Sequence, residues 1–205
     1  MLDLEPTLRH VLLARHLQQL DLPNQNPADW AAAAALDLRA ATPVAELVRK
    51  QYLDGLDIAI AGHSALRRTR DSIALQVISR AEILEMEGLT PTGYNRIDGD
   101  WAFCAKLPSA TAEACYRAES KLLRLHGTQV FRAVKHAAEH LLRDGQAAFL
   151  VSHSPLVESA VAHATNTWPP VRTFQKGDIA HFRFERHRFI VVEYLPIPPA
   201  AISAT

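Results

Sequence analysis

Three continuous apolar runs, each followed by polar or cationic residues, set the main pattern of this chain. The runs end at Arg15-His16, at His63-Ser64 and at Ser152-His153, and each leads into a stretch with helical periodicity. A continuous apolar run is typical of a parallel strand that is covered on both faces. The repetition of strand and helix therefore favours an open α/β sheet, in which ligands bind at the carboxyl ends of the strands.

Two more apolar runs near the C-terminus alternate with polar residues and are separated by Glu185-Arg186-His187-Arg188. Alternation with a short polar connection is typical of an antiparallel hairpin at the edge of a sheet. The predicted strands are residues 10–15, 57–61, 147–152, 179–184 and 189–195. The fold class predicted from this pattern is a three-layer α/β/α sandwich with a mostly parallel central sheet and an antiparallel C-terminal hairpin.

Helices are predicted over residues 43–53, 64–77, 111–142 and 154–163. Thr42 is an N-cap candidate for the first helix because Pro43 would then occupy the first helical position. Ser64 and Ser154 are N-cap candidates for the second and fourth helices. The long third stretch is expected to break near Gly127.

The whole chain, residues 1–205, is predicted to form a single domain, because its length allows one full core. Residues 88–110 interrupt the strand and helix pattern with Gly, Pro, Asn and Asp, and we expect an irregular insertion over the active edge of the sheet. Residues 196–205 are rich in proline and alanine and are expected to form a tail that is disordered or lies along the surface.

The charge balance argues against two classes of partner. With 22 basic and 22 acidic residues the net charge is zero, so neither nucleic acid nor a membrane surface is expected to bind. No stretch is apolar enough to span a bilayer, and the first residues do not resemble a secretory signal. The two cysteines have no metal-binding spacing. We therefore expect a cytoplasmic protein with reduced thiols.

The residues at the predicted strand ends suggest a site for phosphate. Arg15, His16 and His153 directly follow or end apolar runs, and Arg68 follows the run that ends at His63. Guanidinium groups are permanently charged and bind phosphate oxygens through two parallel hydrogen bonds. A neutral imidazole near pH 7 can attack phosphorus and form a covalent intermediate. Because strand ends of one sheet share an edge, these four side chains are expected to converge.

Four motifs in the same order resemble those of the histidine phosphatase superfamily, the phosphoglycerate-mutase-like proteins. In that family the first strand ends in Arg-His-Gly, and this chain has Arg15-His16-Leu17. The second family motif, approximately Ser-Pro-Leu-x-Arg-Ala-x-Gln-Thr, is similar to residues 64–72. The apolar strand that ends in histidine is matched at residues 151–155, and a closing Lys-Gly-acidic-Ile pattern at residues 176–179.

The resemblance implies a phosphatase that hydrolyses a phosphomonoester or a phosphohistidine through a covalent phosphohistidine intermediate, without a metal or an organic cofactor. His16 would be the nucleophile, and Arg15, Arg68 and His153 would hold the phosphoryl oxygens. Backbone N–H groups after Ser64 and Ser154 would add further donors.

A general acid is needed for a poor leaving group. Glu85 is one candidate and Glu87 the alternative, because related enzymes often use a glutamate in this segment. The expected partner is a small phosphorylated metabolite or a phosphoprotein, and the oligomeric state is left open.

Two alternatives remain at this point. Leu17 replaces the glycine of the family pattern, which raises the possibility of a catalytically impaired member that only binds phosphate or a phosphoprotein. Separately, residues 136–140 read His-x-x-Glu-His, the pattern of inverted zinc proteases, with both histidines on one helical face. A zinc hydrolase would need a third protein ligand, so this alternative is the weaker of the two.

Overall fold

A six-stranded sheet forms the centre of the molecule. The computed structural model describes residues 6–20, 35–77, 80–90, 112–117, 121–169 and 174–197. The strands are β1 (Arg9–Arg15), β2 (Ile58–His63), β3 (Glu82–Glu85), β4 (Ala147–Ser152), β5 (Ile179–Glu185) and β6 (Arg188–Leu195). Their order across the sheet is β3-β2-β4-β1-β5-β6. The first four in this order are parallel, whereas β5 is antiparallel to β1 and pairs with β6 in a hairpin.

Helices cover both faces of the sheet. They are α1 (Leu38–Val48), α2 (Arg67–Gln76), α3 (Ala112–Arg117), α4 (Lys121–His136) and α5 (Leu156–Thr165). Short π-helical segments extend α1 over Arg49–Leu53 and α4 over Ala137–Leu141, and a 3-10 turn follows β3 at Glu87–Leu89. In the part of the chain described, no helix is long and apolar enough to cross a membrane.

The strands alternate their buried side chains between two cores, as expected for a sheet between two helical layers. On one face, Val11 and Leu13 of β1 pack with residues of α4 and α5. On the other face, Leu12 and Ala14 pack with residues of α1 and with Ile73 of α2. The predicted α/β/α sandwich with its antiparallel C-terminal hairpin is therefore confirmed.

Several local predictions are wrong. Helix α2 begins at Arg67 after Leu66, and α5 begins at Leu156 after Pro155, so neither Ser64 nor Ser154 is the N-cap residue. Helix α1 begins at Leu38 rather than at Pro43, because the Asp37 carboxylate accepts hydrogen bonds from the N–H groups of Arg39 and Ala40 and caps it there. Gly127 lies inside α4 and does not break it. Strand β3 was not predicted, and its mostly exposed side chains explain why it has no apolar run.

The start of the C-terminal segment also differs from the expectation of a surface tail. Ile197 is buried, and its N–H donates to the Asp178 carboxylate at 2.8 Å. The carbonyl of Pro196 accepts a hydrogen bond from the Tyr52 hydroxyl. Residues 198–205 and most of the predicted insertion, residues 91–110, lie outside the described residues. The insertion over the active edge and the extent of the single domain therefore stay predictions.

Candidate active site

The strand topology brings the two predicted histidines together. Strands β1 and β4 are neighbours and parallel, with Arg15 paired to Ser152 at their carboxyl ends. The His16 N–H continues this pairing with a 3.0 Å hydrogen bond to the carbonyl of Ser152. His16 and His153 therefore leave the sheet side by side, and their ring centroids are 5.2 Å apart.

The hydrogen bonds of His16 define its tautomer. Its Nδ1 lies 2.8 Å from the carbonyl oxygen of Leu17. A carbonyl can only accept, so we assign the proton of the neutral ring to Nδ1. The lone pair is then on Nε2, which lies 3.4 Å from the Nζ of Lys176. The unprotonated ring nitrogen of His16 thus faces a cation.

His153 lies in a buried polar network with Arg68 and Ser64. An Nη2 of Arg68 donates to His153 Nδ1 at 3.2 Å, and His153 Nε2 is 2.9 Å from the Ser64 hydroxyl. Because Arg68 is a donor, Nδ1 must accept, and the ring proton is assigned to Nε2. The hydroxyl of Ser64 also bonds that of Thr69 at 2.9 Å. Bound phosphate would have to compete with these contacts to reach His153.

Arg15 is positioned by the loop that precedes β5. Its guanidinium donates to the carbonyl of Phe174, and its backbone N–H bonds the carbonyl of Asp178 at 3.0 Å. The buried carboxylate of Glu158 fixes the same loop, since it accepts from the N–H of Phe174 at 2.9 Å. Ser154 donates to this carboxylate at 2.6 Å. The hydroxyl of Ser154 therefore stabilises the loop that holds Arg15.

The electrostatic environment keeps both site histidines neutral. Burial lowers the pKa of His16 well below its usual range, and the positive charge of Lys176 adds to this effect. Burial also lowers the pKa of His153 well below its usual range, with Arg68 and then Lys176 contributing in the same direction. The pKa of Arg15 is also lowered, and burial is the main cause. At neutral pH the site contains two neutral imidazoles among positive charges.

The side chain of Leu17 lies in the core. Leu17 is fully buried and belongs to the apolar cluster on the α1 face of the sheet. Its N–H donates to the Ser72 hydroxyl at 3.0 Å, and that hydroxyl donates to the carbonyl of Arg68 at 2.7 Å. The leucine thus links the strand end to helix α2. Its bulk is accommodated by the core, which removes the steric reason for an impaired enzyme.

The two candidate acids are not joined to this cluster. Glu85 ends the edge strand β3, and Glu87 begins the 3-10 turn after it. Both side chains are exposed, and among the contacts of the described residues none connects either glutamate to His16. Their role as general acid stays a prediction.

The His-x-x-Glu-His segment lies at the opposite edge of the sheet. Arg9, the first residue of β1, donates to the carbonyls of Ala138 and Glu139. His136 and His140 are therefore near the amino ends of the strands, far along β1 from His16. Within the described part of the chain, no group of three or more His, Cys, Asp or Glu side chains could hold a metal ion.

Solved structures with the same architecture span nearly the whole chain. A phosphoglycerate mutase from Bacillus anthracis str. Sterne matches with a TM-score of 0.66 and 12% identity, over 96% of this chain and 96% of that one. A phosphoserine phosphatase from Entamoeba histolytica, in complex with 3-phosphoglyceric acid, matches with a TM-score of 0.60 and 11% identity, over 95% and 99% of the two chains. This chain shares the fold of these two enzymes.

A third structure with this fold is the protein histidine phosphatase SixA complexed with tungstate. It matches with a TM-score of 0.56 and 13% identity, over 90% of this chain and 96% of that one. No protein-family model and no curated protein matches the sequence. At these identities the similarity shows the fold alone, and the residues of the site must be argued from their own geometry.

Sequence reasoning missed four residues that shape this site. They are Ser72, Glu158, Lys176 and Asp178. The closing Lys-Gly-acidic-Ile pattern contains Lys176 and Asp178, and Ser72 ends the second motif at residues 64–72, but neither pattern assigned these residues a role. The carboxylate of Asp178 is fully buried and accepts from the N–H of Gln175 and the hydroxyl of Tyr194, both at 2.6 Å.

Proposed function

We propose that this protein is a phosphatase in which His16 attacks the phosphorus of a phosphomonoester or a phosphohistidine. The observation that carries the proposal is the cluster of His16, His153 and Arg68 at the carboxyl edge of the sheet. Open α/β sheets bind their ligands at this edge. The fold shared with phosphatases and a mutase supports the same reaction class.

In the first step, the lone pair on His16 Nε2 forms an N–P bond while the bond from phosphorus to the leaving group breaks. The leaving atom keeps the bonding electrons and takes up a proton from the solvent. The positive charge that develops on the imidazole is stabilised by the Nδ1–H bond to the Leu17 carbonyl. No proton has to leave His16, because Nε2 is already unprotonated.

In the second step, water attacks phosphorus and the N–P bond breaks, which returns the lone pair to Nε2. The attacking water releases a proton to the solvent, and inorganic phosphate leaves. Throughout both steps, catalysis of phosphoryl transfer depends mainly on positioning and charge neutralisation. Arg15 and Arg68 supply permanent positive charge, and His153, which bonds Arg68 and Ser64, lies beside His16.

The test of the nucleophile is turnover of an aryl phosphate by the wild type and by His16→Ala. We expect a loss of at least about 10³-fold in kcat, because the covalent route is removed. His140→Ala is the matched control, since His140 is exposed and lies near the opposite edge of the sheet. Equal rates for wild type and His16→Ala would overturn the assignment.

A rapid acid-free quench identifies the intermediate. When the wild type reacts with a substrate that is labelled on its phosphoryl group, the label should be trapped on His16. Peptide mapping should then locate it. Phosphate binding in calorimetry without any trapped label or turnover would instead indicate a phosphate-binding protein. A panel of phosphorylated metabolites and phosphohistidine peptides then identifies the substrate class.

A further inference from the structure

Lys176 lies directly against the attacking nitrogen of the proposed nucleophile. Its Nζ is 3.4 Å from His16 Nε2, although the two residues are 160 positions apart in the chain. Since Nδ1 of His16 is bonded to a carbonyl, Nε2 is the acceptor and the ammonium group is the donor. The lysine therefore meets the lone pair that would form the bond to phosphorus.

The backbone on either side of Lys176 is fixed. Gly177 has a φ of +89°, and a Cβ at that position would be 2.8 Å from Val44 Cγ1. Its N–H donates to the carbonyl of Arg15 at 3.2 Å. The next residue, Asp178, is held by hydrogen bonds from Gln175 and Tyr194. The turn therefore presents Lys176 at a defined place beside the end of β1.

The charge of Lys176 is complementary to that of a phosphoryl group. A phosphoryl group carries negative charge on its non-bridging oxygens, and these oxygens lie close to the attacking atom during transfer. In the resting site, Arg68 donates to His153, Arg15 donates to the Phe174 carbonyl, and the ammonium of Lys176 faces the neutral His16. When Nε2 bonds to phosphorus, its lone pair is no longer available to accept from Lys176.

We propose that Lys176 is a catalytic residue that transfers its hydrogen bond from His16 Nε2 to a non-bridging phosphoryl oxygen as the N–P bond forms. The inference rests on the proposed function and adds a third cation to its phosphate pocket. Lys176 keeps all its protons in this step. At phosphorus, the N–P bond forms and the bond to the leaving group breaks.

Lys176 also affects the protonation of the nucleophile. The titratable and charged groups that face His16 are Lys176 from the turn before β5, His153 after β4, and Arg68 from α2. The positive charges of Lys176 and Arg68 lower the pKa of His16, in addition to the larger effect of burial. Removing the charge of Lys176 should raise that pKa. The acidic limb of the pH profile of kcat/KM should therefore move to higher pH.

The test compares Lys176→Gln, Lys176→Arg and the control Lys135→Gln. Lys135 is exposed and pairs with Glu139 on the far part of α4. For Lys176→Gln we expect kcat/KM for an aryl phosphate to fall by about 10²-fold, as for the loss of one donor to a transition-state oxygen. Calorimetry should show weaker phosphate binding by Lys176→Gln, and the acidic limb of its kcat/KM profile should move to higher pH. Lys176→Arg should recover most of the rate and the wild-type limb.

Three results would overturn the role of Lys176. The first is wild-type turnover and an unshifted acidic limb in Lys176→Gln. The second is an equal loss in Lys176→Gln and Lys176→Arg with unchanged phosphate affinity, which would indicate a structural role. The third is an unchanged phosphate affinity in a Lys176→Gln protein whose thermal melt matches the wild type. If the wild type shows no turnover, the proposed function is overturned. Calorimetry of the wild type and Lys176→Gln then tests independently whether Lys176 contacts phosphate.

Discussion

At the scale of the residue, Leu17 shows how a position next to the proposed nucleophile can serve the core. Among the described residues, the non-glycine residues with positive φ are Asn166 and Arg186. Leu17 therefore has a backbone conformation that any L-residue can adopt, and the freedom of glycine is not required there. Its side chain packs in the core on the α1 face, while its N–H and carbonyl bond Ser72 and His16.

Leu17→Ala should lower the free energy of unfolding by about 3 kcal/mol, because it leaves a cavity in a fully buried cluster. Chemical denaturation measures the effect. Leu38→Ala is the control, since Leu38 is 62% exposed and its loss should change the free energy by less than about 0.5 kcal/mol. A similar small change at Leu17 would show that its packing contributes little to stability.

At the scale of the element, Gly127 allows two helices on one face of the sheet to approach closely. A Cβ at this position would be 2.5 Å from the carbonyl oxygen of Ser159 in α5 and 2.8 Å from its carbonyl carbon. Real Cβ atoms do not come so close to backbone atoms. The glycine in the middle of α4 therefore reflects the contact with α5, which no local pattern in the sequence reveals.

Gly127→Ala has two opposing effects on the stability of the folded protein. Alanine favours an isolated helix over glycine by about 1 kcal/mol. Here the methyl group must push α4 and α5 apart, and overpacking of this kind costs about 1 to 3 kcal/mol. Because the contact is with backbone, we expect net destabilisation in thermal and chemical unfolding. Leu125→Ala, at an exposed position of the same helix, is the control. A more stable Gly127→Ala protein would contradict this account of the helix contact.

At the scale of the whole molecule, a second buried histidine pair links stability to pH. Nδ1 of His10 in β1 lies 3.0 Å from Nε2 of His181 in β5, and both residues are almost fully buried. Burial, with smaller effects from His10 and Arg183, lowers the pKa of His181 to about 3. An unfolded chain has a histidine pKa of about 6.5, so below that pH it binds a proton that the folded protein does not.

The folded protein should therefore lose stability as the pH falls from about 6.5 toward the folded pKa of His181. The largest contribution of one such group is about 1.4 kcal/mol per pH unit. His16 and His153 add to the slope in the same direction. His181→Gln should flatten the curve of unfolding free energy between pH 7 and 4.5, whereas His187→Gln in the exposed turn should not. Parallel curves for wild type and His181→Gln would contradict the contribution of His181 to the pH dependence of stability.

The sequence by itself determined the fold class and four residues of the candidate site. Apolar runs and the residues that follow them are local features, and the rule that parallel strands share a ligand-binding edge is enough to group Arg15, His16, Arg68 and His153. The tertiary structure decided the rest. Lys176 reaches His16, and Glu158 fixes the loop at Arg15, through turns and hydrogen bonds between distant segments. Such contacts depend on the packing of the complete fold, so no periodicity or local motif encodes them.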